Sequence, residues 1–463
     1  MSALSSLPRA RRAVAAATAA ALVLSTLPAR AQQERGLPII RDAEIEQLLR
    51  DYTLPILKAA GLAQQNIRVV ILNDRTFNAF VMDGRRIFVN AGALMESTTP
   101  NQIIGVLAHE TGHIAGGHLS KLRAELSNVQ NAMLIAMVLG LGVAIAGRGG
   151  SDAAAAAVMG SQQVAMRSLL SYARQHEEQA DKAGVKFLTA TGQSAKGMYE
   201  TFKRFADQLL FASRYIDPYA QSHPMPRERI ESLAIIAREN PYWDKKDPPE
   251  LQLRHDMMRA KLHGFMDRPD TLARAYPPSD TSLVARYARA IAAYRYGSVQ
   301  GAIQQIDALI ASQPGNPYFH ELKGQALLEA GRPAEAVGPL RQAIAHAPNP
   351  TLIQVMLGQA LTATGNPALT DEAVRNLTAA INRDPDITDA YTNLAMAYGK
   401  KGDLAQADLA SAQAAFTRGD FMTARQLAVR AKGRFAVGTP GWVKADDIAA
   451  FKAPAAAMQV NRR

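Results

Sequence analysis

At 463 residues, 48% of them hydrophobic and 20% charged, the chain is too long for one ordinary core and too apolar for a disordered protein, so two or three globular domains are expected. Its formal charge of +11 is spread along the sequence, without a basic block interleaved with aromatics, which argues against a nucleic-acid groove. The absence of cysteine excludes disulfides, a thiol nucleophile, thiolate metal ligands and lipid attachment at cysteine.

The first 31 residues have the layout of an export signal. Arg9, Arg11 and Arg12 form a basic start, Ala13 to Leu27 an apolar stretch, and Ala29-Arg30-Ala31 a small-residue cleavage site. Arg11-Arg12 raises twin-arginine export, but the flanking residues match it poorly and the general secretory route is favoured. Cleavage would remove four arginines and no acids, leaving a formal charge of +7. An exported chain without cysteine fits the periplasm.

Val69 and Ile71, then Phe80, Ile87 and Val89, alternate as short strands of a small sheet. A helix is expected next, with Thr99 as cap, Pro100 in its first turn and Gln102 completing a capping box. Ile103, Ile104, Val106 and Leu107 lead into His109-Glu110-Thr111-Gly112-His113, an HExxH run. Residues four apart on a helix share a face, so His109 and His113 can bind one Zn²⁺. Glu110 is then placed to take a proton from the water that the metal activates.

A catalytic zinc site needs a third protein ligand. A histidine ten residues after the first, as in metzincins, is ruled out because that position is Leu119. His118 faces away from the ligands if the helix continues, and reads as a helix-end or supporting residue. Downstream, Arg174-Gln175-His176-Glu177-Glu178-Gln179-Ala180-Asp181 is compatible with a helix. Glu177 and Asp181 share a face, so one can bind metal while the other holds the far nitrogen of a ligating histidine.

Between these motifs lie Ala132 to Ala146, Gly147-Arg148-Gly149-Gly150, an alanine run at Ala153 to Ala157, and Val158 to Leu170. The first stretch is shorter than the ~20 residues that cross a bilayer as helix. A helical hairpin near the active site is therefore expected over insertion, with membrane contact through 132–170 left open. His223 follows in Ser222-His223-Pro224, and can serve as a fourth ligand or switch, an oxyanion donor, or a loop anchor.

After about residue 280 the sequence repeats itself. Gly324 and Gly358, like Pro314 and Pro348, are 34 residues apart, and one unit is stretched by about three residues near Asn366-Pro367. This is the period of tetratricopeptide repeats, roughly four of them, whose stacked hairpins offer a concave surface for a peptide or partner protein.

Together, HETGH and the R-x-x-E-x-x-A-D run of 174–181 resemble the M48 family of zinc metallopeptidases. Asn78-Ala79-Phe80, Arg86 to Gly92, and the H-P-x-x-x-x-R-I pattern from His223 through Arg229 to Ile230 resemble the family too. The resemblance implies one zinc per chain on His109, His113 and Glu177, with Glu110 and Asp181 catalytic. It implies that His223 blocks the metal as a switch, and that the periplasmic members act in outer-membrane protein quality control. Partners would be unfolded or misassembled outer-membrane proteins and, through the repeats, the β-barrel assembly machinery, with no nucleic acid. A chaperone-like scaffold with little proteolysis is the competing expectation. The fold class is α+β: a mostly helical gluzincin-type protease domain with a small sheet, then an all-α repeat solenoid. The expected divisions are 1–31 signal peptide, 32–245 protease domain, 246–280 connector, 281–435 repeats and 436–463 tail.

Overall fold

The computed structural model describes residues 38–127, 151–211, 219 and 222–452. The expected export signal, the apolar and glycine-rich stretch 132–150 and the final residues 453–463 lie outside the described residues. Among the described residues, no helix is long and apolar enough to cross a membrane.

The expected strands, joined by one more at Ile39–Ile40, form a four-stranded sheet. β1 (Ile39–Ile40), β2 (Arg68–Leu72), β3 (Ala79–Val81) and β4 (Arg86–Asn90) lie in the order β1-β2-β4-β3. β2 and β4 are parallel, with Val69 opposite Ile87 and Ile71 opposite Val89, whereas β3 runs antiparallel to β4 and forms an edge. Side chains alternate across a strand, and Ile71, Ile87 and Val89 are fully buried on the core side. Against them packs α1 (Ala43–Ala59), capped by Asp42, whose carboxylate accepts from the Ile45 amide. The stripe Ile45, Leu48, Leu49, Tyr52 and Ile56 is the face that α1 buries.

α2 (Ala91–Glu96) leads to α3 (Pro100–Ala115), the HETGH helix. Thr99 is its cap, and the Gln102 side chain accepts from the Thr98 and Thr99 amides at 2.7 and 3.4 Å. α4 (Ser151–Ala190), α5 (Lys196–Phe211) and α6 (Arg227–Arg238) complete the helical part of this domain, and α7 (Pro249–Met266) and α8 (Pro269–Ala275) connect onward.

Five helix pairs follow: α9 (Leu283–Tyr296) with α10 (Val299–Ser312), α11 (Pro317–Glu329) with α12 (Pro333–His346), α13 (Thr351–Ala363) with α14 (Thr370–Arg383), α15 (Thr388–Lys401) with α16 (Leu404–Thr417), and α17 (Phe421–Lys432) with α18 (Pro440–Ala450). The repeating glycines are contact points between paired helices. A Cβ at Gly324 would lie 2.5 Å from Leu340, and one at Gly358 2.4 Å from Leu377. The extra residues near Asn366 form a short 3₁₀ turn, Pro367–Leu369. α18 lies in the stretch read as a tail and packs against α16 and α17.

Polar contacts tie the repeats to the first domain. Lys261 on α7 is buried, with its Nζ 2.7 Å from Asp42, 3.2 Å from Glu44 and 3.7 Å from Glu321 of α11. Tyr287 of α9 donates to Glu44 at 2.8 Å. Burial, only partly offset by Lys261, pushes Glu44 up and Glu321 up to about 8. Elsewhere Asp384, after α14, accepts from Arg41 at 2.8 Å and from Arg68 of β2 at 2.7 Å.

Candidate metal centre

Backbone contact between two helices builds the centre. α3 and α4 cross where Gly112 meets Ala180: a Cβ on Gly112 would lie 2.8 Å from the Ala180 carbonyl, and one on Gly184 3.2 Å from the His109 amide. Only glycine allows so close an approach, and it carries Glu177 and Asp181 of α4 under the histidines of α3. His223 arrives from the other side, on the loop before α6.

His109, His113, Glu177 and His223 each offer a ligand atom, and these four atoms lie within 4.8 Å of one another. His109 Nε2 is 3.0 Å from His113 Nε2 and 3.3 Å from His223 Nδ1. Glu177 Oε2 is 3.4 Å from His109 Nε2 and 3.0 Å from His223 Nδ1, and Oε1 is 3.4 Å from His113 Nε2. Donors about 2.0–2.1 Å from a tetrahedral zinc are about 3.3 Å apart, so the set fits that ion. Tautomers agree. His109 Nδ1 lies 2.9 Å from Asp181 Oδ1, which favours the proton on Nδ1 and leaves Nε2 as a lone pair facing the other nitrogens.

The electrostatics point the same way. Burial would push His109 down, but Asp181 and Glu177 outweigh it and lift it to about 9. Carboxylates able to hold a proton there equally favour a divalent cation in its place, since metal binding releases ligand protons. Burial and then the charge of His109 push His113 far down. Glu177 is held well below the usual carboxylate range: burial opposes this, but His223 and Arg229 together prevail. Burial raises Glu110. Both of its carboxylate oxygens are buried without a hydrogen bond, and His223 Nε2 stands 3.5 Å from Oε1.

Two residues gain a place that spacing alone does not give them. Arg229, undecided from sequence, is buried and binds Asp181 through Nε and Nη2 at 2.7 and 2.8 Å, Glu177 at 2.7 Å and the Pro224 carbonyl at 2.9 Å. One guanidinium thus fixes both acids of α4 and the loop that carries His223. Tyr219, four residues before His223, packs its ring 4.7 Å from that imidazole. Its four-residue spacing from His223 was the available signal. His118 is the helix-end, supporting residue expected, but the condition for its facing away fails: α3 stops at Ala115 and the ring turns back to His113, Nδ1 to Nδ1, at 3.0 Å.

Comparison with known proteins identifies two kinds of domain. Residues 40–237 match Peptidase family M48, and 287–351 and 321–369 match a tetratricopeptide repeat. The chain carries an M48 metallopeptidase domain followed by tetratricopeptide repeats. It is 24% identical over 333 residues to the Beta-barrel assembly-enhancing protease of Escherichia coli (strain K12), covering 69% of this chain and 66% of the relative. It is also 24% identical over 286 residues to the Putative beta-barrel assembly-enhancing protease of Vibrio cholerae serotype O1, covering 61% and 58%. The Metalloprotease YcaL of Escherichia coli (strain K12) is 28% identical over 169 residues, 36% of this chain and 60% of the relative. The chain thus spans 58–66% of the length of these relatives.

Proposed function

We propose that this protein is a zinc-dependent endopeptidase of the periplasm, restrained by its own His223, that acts on outer-membrane proteins which fail to assemble. One observation carries the restraint: His223 Nδ1 stands 3.0 Å from Glu177 and 3.3 Å from His109, where a fourth ligand belongs. Catalytic zinc sites keep that position open, and structural ones close it. The outer-membrane substrates rest on the names of the relatives.

In this reading His109, His113 and Glu177 hold the ion. When bound, zinc supplies Lewis acidity, polarising the scissile carbonyl and acidifying water. Asp181 keeps the His109 proton on Nδ1, and Arg229 compensates the charge of both α4 acids. Glu110 accepts the proton of the attacking water at a carboxylate oxygen and passes it to the leaving amine. With His223 in place, its Nε2 edge faces Glu110, so the same side chain fills the fourth position and occupies the base. β3 packs against α3 and is a sheet edge, which can pair with an extended substrate backbone. The repeats supply a surface for the substrate or for the β-barrel assembly machinery.

The export signal supports the periplasmic site of action. A scaffold that holds clients with little cleavage is favoured by the same closed arrangement, so the test separates the two. An unfolded outer-membrane β-barrel protein is incubated with the zinc-loaded parent, His223→Ala and Glu110→Gln. Raised cleavage by His223→Ala supports a restrained protease. A large drop gives His223 a role in the transition state. If zinc-loaded parent, His223→Ala and Glu110→Gln all leave the client intact, the scaffold reading stands.

A further inference from the structure

The two HExxH histidines are held differently. His109 leans on a charged pair, Asp181 with Arg229. Among the described residues no carboxylate stands behind His113; its Nδ1 meets His118 Nδ1 at 3.0 Å. On a continuous helix, position 118 would sit roughly 140° around the axis from 113, at about 100° per residue. The chain instead breaks. Gly117 adopts φ +63°, and residues 118–127 are helical again. The break folds the imidazole back over Gly116, where a Cβ would lie 2.2 Å from His118 Nε2. A side chain at 116 would expel the ring.

Two neighbours clamp that ring. His118 stacks on His176 with centroids 4.3 Å apart and planes 4° from parallel. His176 rests on Tyr172 at 4.2 Å. The Nε2 edge faces Gln179 Oε1 at 3.2 Å. His176 and Gln179 flank Glu177 on α4, so one turn of that helix serves both sides of the centre.

We propose that His118 is the positioning residue for His113, and that Gln179, acting through His118, sets the tautomer in which His113 Nε2 faces the metal; this rests on the metal-centre reading above. The proton logic runs in one direction. With Gln179 turning its amide oxygen to Nε2, as in this structure, His118 carries its hydrogen there and presents a lone pair at Nδ1. His113 must then donate from Nδ1, which leaves Nε2 as a lone pair aimed at His109 Nε2. A donor in the place of Gln179 Oε1 reverses every step. His118 Nδ1 would donate, His113 would carry its hydrogen on Nε2, and that nitrogen could not ligate.

The test measures zinc affinity and release rate by chelator competition on the full chain, together with melting of the zinc-free protein. His118→Phe keeps the stacking and removes the nitrogens; Gln179→Glu keeps an acceptor; Gln179→Lys supplies only a donor, at an exposed position. His118→Phe and Gln179→Lys are expected to weaken zinc about 10–100-fold, the usual effect of losing a ligand's supporting hydrogen bond. Gln179→Glu should stay near the parent, and the zinc-free melts should be unchanged. Parent-like zinc binding by His118→Phe overturns the inference, as does a loss of affinity that only tracks a lower zinc-free melting temperature. Parent protein that binds no zinc overturns the metal-centre reading itself, a result distinct from either.

Discussion

The molecule buries two polar clusters with the same formal ledger and opposite needs. At the metal centre, Glu110, Glu177 and Asp181 face one strong cation, Arg229. At the junction with the repeats, Asp42, Glu44 and Glu321 face one strong cation, Lys261. Each is two positive charges short. The centre adds three imidazole nitrogens aimed at one point, so its deficit is met by a divalent ion. The junction has a tyrosine hydroxyl and no imidazole among these contacts, and its deficit shows instead as raised carboxyls, Glu321 up to about 8 and Glu44 above its ordinary value. Charge count does not distinguish a binding site from a structural contact here. The direction of lone pairs does.

The largest effect expected is on catalysis. Glu110→Gln should lower peptide cleavage about 10²–10⁴-fold while leaving bound zinc unchanged, because Glu110 handles the proton and not the ion. Zinc content beside turnover checks this, and loss of zinc in that variant would mean that Glu110 belongs to the cation's cage.

Next come the two strong cations. Arg229→Met and Lys261→Met should each destabilise the zinc-free protein at neutral pH by about 3–5 kcal/mol, since each strands buried carboxylates. Denaturant unfolding with and without zinc separates the clusters. Zinc should recover part of the Arg229 deficit and none of the Lys261 deficit; equal recovery would erase the distinction between them.

The smallest effect concerns pH. The ordinary value for Glu321 is 4.5 and its folded value is about 8. Between these, the unfolded chain has lost the proton that the folded chain retains, so stability falls as pH rises through that window. Glu321→Gln should flatten the fall and gain about 1–2 kcal/mol at pH 8, an amount on the scale of one pKa unit. A parallel pH–stability curve for the variant would place the proton elsewhere.

What the sequence disclosed was what is periodic. His109 with His113, Glu177 with Asp181, and Gly324 with Gly358 are fixed by helical turns or by the repeat length, so their faces follow from numbering. The alternating Ile71, Ile87 and Val89 disclosed the sheet for the same reason. Arg229 was not legible in its role, because it meets Asp181 across 48 residues and nothing local specifies that partner. Lys261 met its acids on α1 and α11 in the same unannounced way. His118 was legible as a supporting residue at the helix end, but its direction was not, because extrapolating the HETGH helix past Gly116-Gly117 turns the ring away from His113. Two successive glycines after the motif were the sign that the extrapolation should stop.

The pairing of Asp384 with Arg68 has an entropic side. It joins residues 316 apart, and Asp384 also reaches Arg41 across 343. Each therefore closes a loop that runs from the first domain to the end of α14. Closure is nonetheless cheap, because loop entropy grows by only about 0.6 kcal/mol per doubling of length, and here most of the intervening chain is itself ordered. Both are partly exposed ion pairs, which open more readily than the buried packing around them.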